Sequence, residues 1–109
     1  MSPFLEAGTT PNEGKVVKFV TLKDKIYYSD AKGDSIALES HSKLARRAGA
    51  DTFDADHRPM VDDGGNLVFL DGKVKFSGST ESCTVNSPET ARKITAEVAK
   101  KILGEDRVY

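Results

Sequence analysis

A histidine inside a helical segment is the residue of this chain best suited to acid–base or nucleophilic chemistry. His41 lies within residues 36–48, which contain no helix breaker. Its neighbours at helical spacing, including Leu38 and Leu44, are apolar, so its ring is expected on or beside the apolar face of the helix. Imidazole titrates near neutral pH, which makes His41 a candidate general base or nucleophile. The alternative is a structural histidine satisfied by a backbone carbonyl.

A loop of small hydroxyl residues is the second candidate. It begins at Gly78 and continues through Ser79, Thr80, Glu81 and Ser82; we call these five residues the hydroxyl loop. Consecutive N–H groups in such a loop can turn inward and bind phosphate or another anion. A carboxylate at Glu81 opposes this if it faces the anion, and serine and threonine are also common in turns without a ligand. The loop supports an anion site only together with other residues.

Three further groups have both a functional and a structural interpretation. Lys18 interrupts an apolar strand and faces either solvent or an anion on the sheet. The acidic loop, residues 51–63, contains five aspartates and His57, but their spacing matches no metal-binding loop, so we expect no metal and a solvated surface. Cys83 is the only cysteine, and no feature of the sequence marks it as a nucleophile.

Length, charge and cysteine content narrow the class of protein. A chain of 109 residues suits one domain, with residues 1–14 as a flexible arm and 15–109 as the folded unit. The net charge of −1 gives no basic field for nucleic acid, and no segment is apolar enough for a membrane anchor. One cysteine excludes an intrachain disulfide. We therefore expect a cytoplasmic monomer that binds neither nucleic acid nor membrane.

Two hairpins are predicted to provide the sheet. Residues 16–22 and 25–29 are rich in β-branched and aromatic side chains and are separated by two residues, although one bent strand also fits. The second pair, 66–70 and 73–77, is separated by Asp71-Gly72, a strong signal for a tight turn.

Two helices are predicted to cover that sheet. The first is the segment that contains His41. The second begins with Ser87 as N-cap and Pro88 as the first helical residue, and it ends at Gly104. Residues 50–63 and 78–86 are loops, and 107–109 form a short edge strand. This order predicts an α/β (α+β) fold with a single mixed β-sheet flanked by two main helices.

Several of these segments, taken together, resemble the Janus/Ocnus family of protein histidine phosphatases. They are the strand containing Lys18, the helical His41, Gly64-Gly65 before a strand, and the stretch from Lys73 to Thr80. The resemblance covers residues 15–94 and implies a phosphohistidine phosphatase-like fold. It also implies removal of phosphate from phosphohistidine or phospholysine without a metal or cofactor.

The resemblance assigns roles to individual residues. His41 matches the catalytic histidine, as general base or nucleophile, and Lys18 matches a strand lysine near the phosphate. Gly78, Ser79, Thr80, Glu81 and Ser82 overlie the phosphate-binding loop. The partner would be a phosphorylated protein or a small phosphoramidate.

Two other functions remain open. The chain could be a module that binds phosphate or a phosphorylated peptide in the same cleft without turnover. It could also be a small interaction protein whose acidic loop contacts a basic partner.

Overall fold

The computed structural model of the protein describes residues 4–6, 8, 10–29 and 41–109. In these residues the chain forms an α+β fold with a four-stranded antiparallel sheet and two helices. In chain order the elements are β1 (Val17–Leu22), β2 (Lys25–Tyr28), α1 (His41–Arg47), β3 (Met60–Val61), β4 (Asp63–Leu70), β5 (Lys73–Ser77), β6 (Thr84–Val85), α2 (Ala91–Leu103) and a 3-10 helix (Glu105–Arg107).

The strands form two sheets instead of the single mixed sheet expected from the sequence. The main sheet has the order β2-β1-β4-β5 with every pair antiparallel, and β3 pairs with β6 in a separate parallel sheet. β3 and β6 are two residues long, so neither has the alternating pattern that would reveal a strand. The acidic loop and the second predicted loop therefore each contain a short strand, and β4 begins three residues earlier than Asn66.

Both predicted hairpins are confirmed. In the first turn Lys23 and Asp24 have φ of 51° and 63°, and in the second Asp71 and Gly72 have φ of 55° and 78°. Two consecutive positive φ angles characterise the tight turn whose twist matches that of the flanking strands. These turns set the register within each hairpin, and the antiparallel pairing of β1 with β4, which joins the two hairpins, places Lys18 beside Asn66.

The two faces of the main sheet are covered by different helices. α2 packs on one face, over a core that includes Phe19, Leu67 and Val98. α1 packs on the other face through Leu44, which contacts Val20. Full burial of one such side chain stabilises the fold by about 1.5–3 kcal/mol.

The second helix begins later than predicted. The Thr90 N–H donates to the Ser87 carbonyl at 3.1 Å, so residues 87–90 form a turn and Thr90 is the N-cap of α2. Proline is favoured in the second position of such a turn as well as in the first turn of a helix, and Pro88 takes the former. The predicted end at Gly104 is confirmed: its N–H donates to the Lys100 carbonyl at 2.9 Å, and its φ is 103°.

The ends of the chain contact the sheet. Within the predicted arm, Leu5 is buried and its N–H donates to the Ile26 carbonyl at 2.7 Å. Val108 forms a single parallel bridge to Val74 in place of a full edge strand. The first part of the predicted helix one, residues 36–40, lies outside the described residues.

The acidic loop is organised by Asp54. Its carboxylate accepts hydrogen bonds from the N–H groups of Asp56 and Arg58, each at 2.9 Å, and from the hydroxyl of Thr84 on β6. The Thr84 hydroxyl is the main cause that lowers the pKa of Asp54 to about 2, followed by the Arg58 backbone N–H. Asp54 is therefore part of the loop's own structure.

Candidate functional site

His41 is the first described residue of α1, and its ring is fixed by one backbone group. Its Nε2 lies 2.7 Å from the Gly65 carbonyl oxygen, and the residue is 9% exposed. A carbonyl can only accept a hydrogen bond, so Nε2 must donate. In the neutral ring Nδ1 then has the lone pair, which is the atom that could accept a proton or attack phosphorus.

The surroundings of His41 favour the neutral ring. Burial lowers its pKa below the ordinary value of 6.5, the hydrogen bond to Gly65 acts in the opposite direction, and the positive charge of Lys18 lowers it further. The neutral form is therefore the main species at physiological pH. A neutral imidazole is the form that a general base or nucleophile requires.

The hydroxyl loop lies against the start of α1 and against β4. The Ser42 N–H donates to Ser82 Oγ at 3.0 Å, which joins the end of the loop to the residue after His41. At the same place Thr80 packs on Gly64: a Cβ on Gly64 would lie 2.7 Å from Thr80 Cγ2. The absence of a side chain at Gly64 lets the loop approach the strand this closely.

Several donors of the hydroxyl loop have no partner among the described residues. The backbone N–H groups of Ser79, Thr80, Glu81 and Ser82 donate no hydrogen bond to any of them. The Thr80 hydroxyl oxygen is buried and lacks an oxygen or nitrogen partner in the described part of the chain, but it interacts with the Cys83 thiol and opposes the effect of burial on the pKa of that thiol. Gly78, with φ of 71°, starts the bend that frees these groups from the strand ladder.

Lys18 lies on the same face of the sheet as His41. It alternates with Phe19, which points into the α2 core, so its side chain is on the face that α1 covers. Its cross-strand neighbour Asn66 follows Gly65, and the Asn66 amide is the group that a Cβ on Gly78 would meet at 2.9 Å. Lys18 is thus near both His41 and the hydroxyl loop.

An ion pair on the opposite side of β4 supports both parts of the site. The carboxylate of Asp63 is buried and accepts from Arg92 Nε at 2.9 Å, from Thr95 Oγ1 at 2.7 Å and from the Gly64 N–H at 2.8 Å. Arg92 Nη2 also donates to the Gly78 carbonyl at 2.8 Å. One arginine on α2 therefore links the start of the hydroxyl loop to the strand that holds His41.

An open cavity of about 200 Å³ lies beside the first turn of α2. Its walls include Gly64, Gly78, Pro88, Ala91 and Arg92, but neither His41 nor Lys18. Ser79 of the hydroxyl loop also lines this cavity, which is on the α2 side of β4, whereas His41 and Lys18 are on the other side.

Five of the seven site residues predicted from the sequence are brought together: His41, Lys18, Gly78, Thr80 and Ser82. The Ser82 hydroxyl oxygen accepts the hydrogen bond from the Ser42 N–H, so the Ser82 side chain joins the loop to α1. Ser79 and Glu81 are exposed, and their side chains have no hydrogen bond to the other site residues.

Sequence reasoning missed four groups: the Gly65 carbonyl, the Ser42 N–H, Asp63 and Arg92. Backbone groups leave no signal in a sequence, and Asp63 was counted only as a member of the acidic loop. Asp63 lies four residues before Leu67 and six before Phe69, so strand alternation extended back through the two glycines was the signal that could have placed it on the buried side.

Two candidates from the sequence remain, the Cys83 thiol and a metal site in the acidic loop. Burial raises the pKa of the Cys83 thiol, which is part of the cluster beneath α1. Among the described residues, no three His, Cys, Asp or Glu side chains are grouped so that they could hold a metal ion. None of the helices described is both long and apolar enough to cross a bilayer.

Comparison of the chain with protein-family models, with curated proteins and with solved structures gives no match.

Proposed function

We propose that this protein is a metal-independent phosphatase that hydrolyses a protein phosphoramidate, phosphohistidine or phospholysine. The observation that carries the proposal is His41, neutral and fixed through Nε2 to Gly65, beside a loop with unpaired N–H groups. The resemblance to the Janus/Ocnus family points to the same site. The phosphohistidine phosphatase-like relationship and a cytoplasmic location are parts of the proposal.

The reaction needs few groups because the P–N bond of a phosphoramidate is already labile. Nδ1 of His41 removes a proton from water as the water oxygen bonds to phosphorus, and the P–N electron pair leaves with the substrate nitrogen, which takes a proton from solvent. Alternatively Nδ1 attacks phosphorus directly, the substrate nitrogen leaves with the P–N electron pair and takes a proton from solvent, and water then hydrolyses the phosphorylated His41. Both routes give inorganic phosphate and the unmodified side chain.

Charge stabilisation is assigned to two groups. The N–H groups of Thr80, Glu81 and Ser82 would hold the phosphoryl oxygens, and the Lys18 ammonium would offset the charge that spreads over them. Such fixed donors are worth more at a partly buried site than in water, because they need no reorganisation during the reaction.

One observation favours a second function. The hydrogen bond from His41 to Gly65 is also the contact that a purely structural histidine makes. With that role, the same group of residues would bind phosphate or a phosphorylated peptide without turnover, and a shape-preserving substitution of His41 would leave the affinity unchanged.

Phosphate release separates the two functions. Wild-type protein is incubated with phosphoramidate-treated polyhistidine and polylysine in the presence of EDTA, and inorganic phosphate is measured over time. We expect turnover of at least one polymer that EDTA does not reduce. Folded wild-type protein that binds inorganic phosphate but releases none from either polymer would overturn the phosphatase in favour of the binding module.

The effect of the Lys18 charge on the pKa of His41 gives a second test of the same site. The Lys18→Met variant loses the positive charge that opposes protonation of His41, so the pKa of His41 should rise. In the wild type, the acid limb of kcat/KM should lie below pH 6.5, and in the variant it should move to higher pH. The ring proton shifts of His41, followed by NMR across the same range, check the pKa without activity.

Lys101→Met on α2 is the matched control for the loss of one lysine, and it should not alter the titration of His41. An unchanged His41 titration in Lys18→Met would show that the two side chains do not interact, and Lys18 would then lose its place in the site.

A further inference from the structure

The sheet face that includes the His41 site is basic and half open. α1 covers the β2–β1 half, and the β4–β5 half has exposed side chains. Lys73, Lys75 and Ser77 of β5 are exposed, and their cross-strand neighbours on β4 are Leu70, Val68 and Asn66. We call the row of Lys73, Lys75 and Lys18 the lysine surface.

The charged residues at the strand positions of this face have one sign. Alternation along the strands places twelve residues on it, and four of these are lysines, at positions 18, 25, 73 and 75. None of the twelve strand positions is acidic. The four lysines give this face a local positive potential, whereas the chain as a whole has a net charge of −1.

Two of these lysines are available to a ligand. Lys75 forms no ion pair or hydrogen bond with any described residue. Lys73 Nζ lies 5.8 Å from the ring centroid of Tyr109, a residue that is itself 63% exposed. A weak contact at such an exposed position, on the order of 0.5–1 kcal/mol, is easily exchanged for an ion pair.

The spacing of these lysines suits an extended peptide. Lys73 and Lys75 are two residues apart on one strand, which separates their Cα atoms by roughly 6.8 Å, the repeat of same-side residues in an extended chain. Lys18 lies two strands away from β5, roughly 10 Å across the sheet, next to His41. A chain with its phosphorylated residue at His41 could therefore place flanking carboxylates over Lys75 and Lys73.

We propose that the lysine surface binds acidic residues flanking the phosphorylated side chain, so that the preferred substrate is an acidic polypeptide segment. This inference rests on the proposed function for the substrate class, but binding to the surface is measured separately from turnover. An acidic peptide is favoured over nucleic acid because Tyr109, beside Lys73, offers a single exposed ring, whereas single-stranded nucleic acid is bound by aromatic rings on which successive bases stack.

The test uses Lys73→Gln/Lys75→Gln, with Lys100→Gln/Lys101→Gln on α2 as a control that removes the same charge. Affinity is measured by fluorescence anisotropy for a short labelled peptide in which Glu and Ser alternate, without phosphate. We expect the first variant to bind about fivefold more weakly than the wild type, as two exposed ion pairs predict, and the control to bind as the wild type does. Added salt should reduce the difference.

Turnover is measured on phosphohistidine within the same acidic peptide and on the free phosphoramidate. The first variant should raise KM for the peptide about fivefold with kcat unchanged, and should not alter turnover of the small substrate. Equal peptide affinity of both double variants and the wild type would overturn the lysine surface. So would tighter binding of a single-stranded oligonucleotide of equal charge. Charge-dependent peptide binding without any turnover would retain the surface and refute the phosphatase.

Discussion

Replacing His41 by asparagine is expected to lower kcat/KM for a phosphohistidine peptide about 10²- to 10⁴-fold, the usual contribution of a positioned acid–base group. The asparagine amide is shorter than the imidazole, so its nitrogen does not reach the Gly65 carbonyl as Nε2 does. The start of α1 should still keep its place on the sheet, because the Ser42 N–H donates to Ser82 Oγ and Leu44 is buried in the core beneath α1. An amide, however, can neither take a proton from water near neutral pH nor attack phosphorus. Phosphate release under initial-rate conditions measures the loss.

The chain's other histidine is the control. His57 is exposed in the acidic loop with φ of 60°, a conformation that asparagine tolerates, so His57→Asn should fold normally and retain full activity. Circular dichroism and a thermal transition near that of the wild type establish that His41→Asn is folded. If folded His41→Asn turns over as fast as the wild type, His41 has only a structural role.

Replacing Asp63 by alanine is expected to give the largest loss of stability, about 2–4 kcal/mol in the free energy of unfolding. The substitution leaves the Gly64 N–H and the Thr95 hydroxyl without their acceptor in the interior, and it removes the partner of Arg92. Breaking a fully buried ion pair costs more, but the Arg92 side chain is 39% exposed and can turn to water. Urea denaturation measures the change.

Asp62→Ala is the matched control, because the neighbouring carboxylate accepts only one hydrogen bond from the described residues, a long one at 3.4 Å from the Asn86 amide. It should change the free energy of unfolding by less than about 0.5 kcal/mol, as most surface substitutions do. Equal losses in the two variants would mean that the Asp63 carboxylate contributes no more to stability than an exposed one.

The sequence predicted the elements that short-range chemistry determines. Asp71-Gly72 fixed a hairpin turn, and Gly104 ended a helix, because glycine readily adopts the positive φ required at each place. The parallel pair β3–β6 was missed because two-residue strands are stabilised by neighbours distant in sequence, such as the Thr84 N–H and the Pro59 carbonyl at 2.9 Å. Pairing of that kind has no local pattern.

The candidate site was predicted only in part, again because contacts between distant residues leave no local pattern in the sequence. His41 and the hydroxyl loop were found from residue type, since imidazole and clustered hydroxyls are uncommon enough to be noticed. The link between Asp63 and Arg92 spans 29 residues, and neither residue is unusual in its own segment. The register of β4 beside β1, which puts Asp63 opposite Thr21 on the α2 face, places that carboxylate in the interior.

The hydrogen bond that fixes His41 comes from a peptide group, and this affects how the site can change by mutation. Any residue accepted at position 65 would still present a carbonyl, so no single codon change deletes the acceptor itself. A Cβ there would instead lie 2.5 Å from the Ser77 carbonyl oxygen and 3.0 Å from that of Gly78, which forces the strand to move. Inherited variation at position 65 should therefore lower the yield of folded protein and shift β4, which holds the His41 ring. The tautomer of that ring should be preserved in every copy that folds.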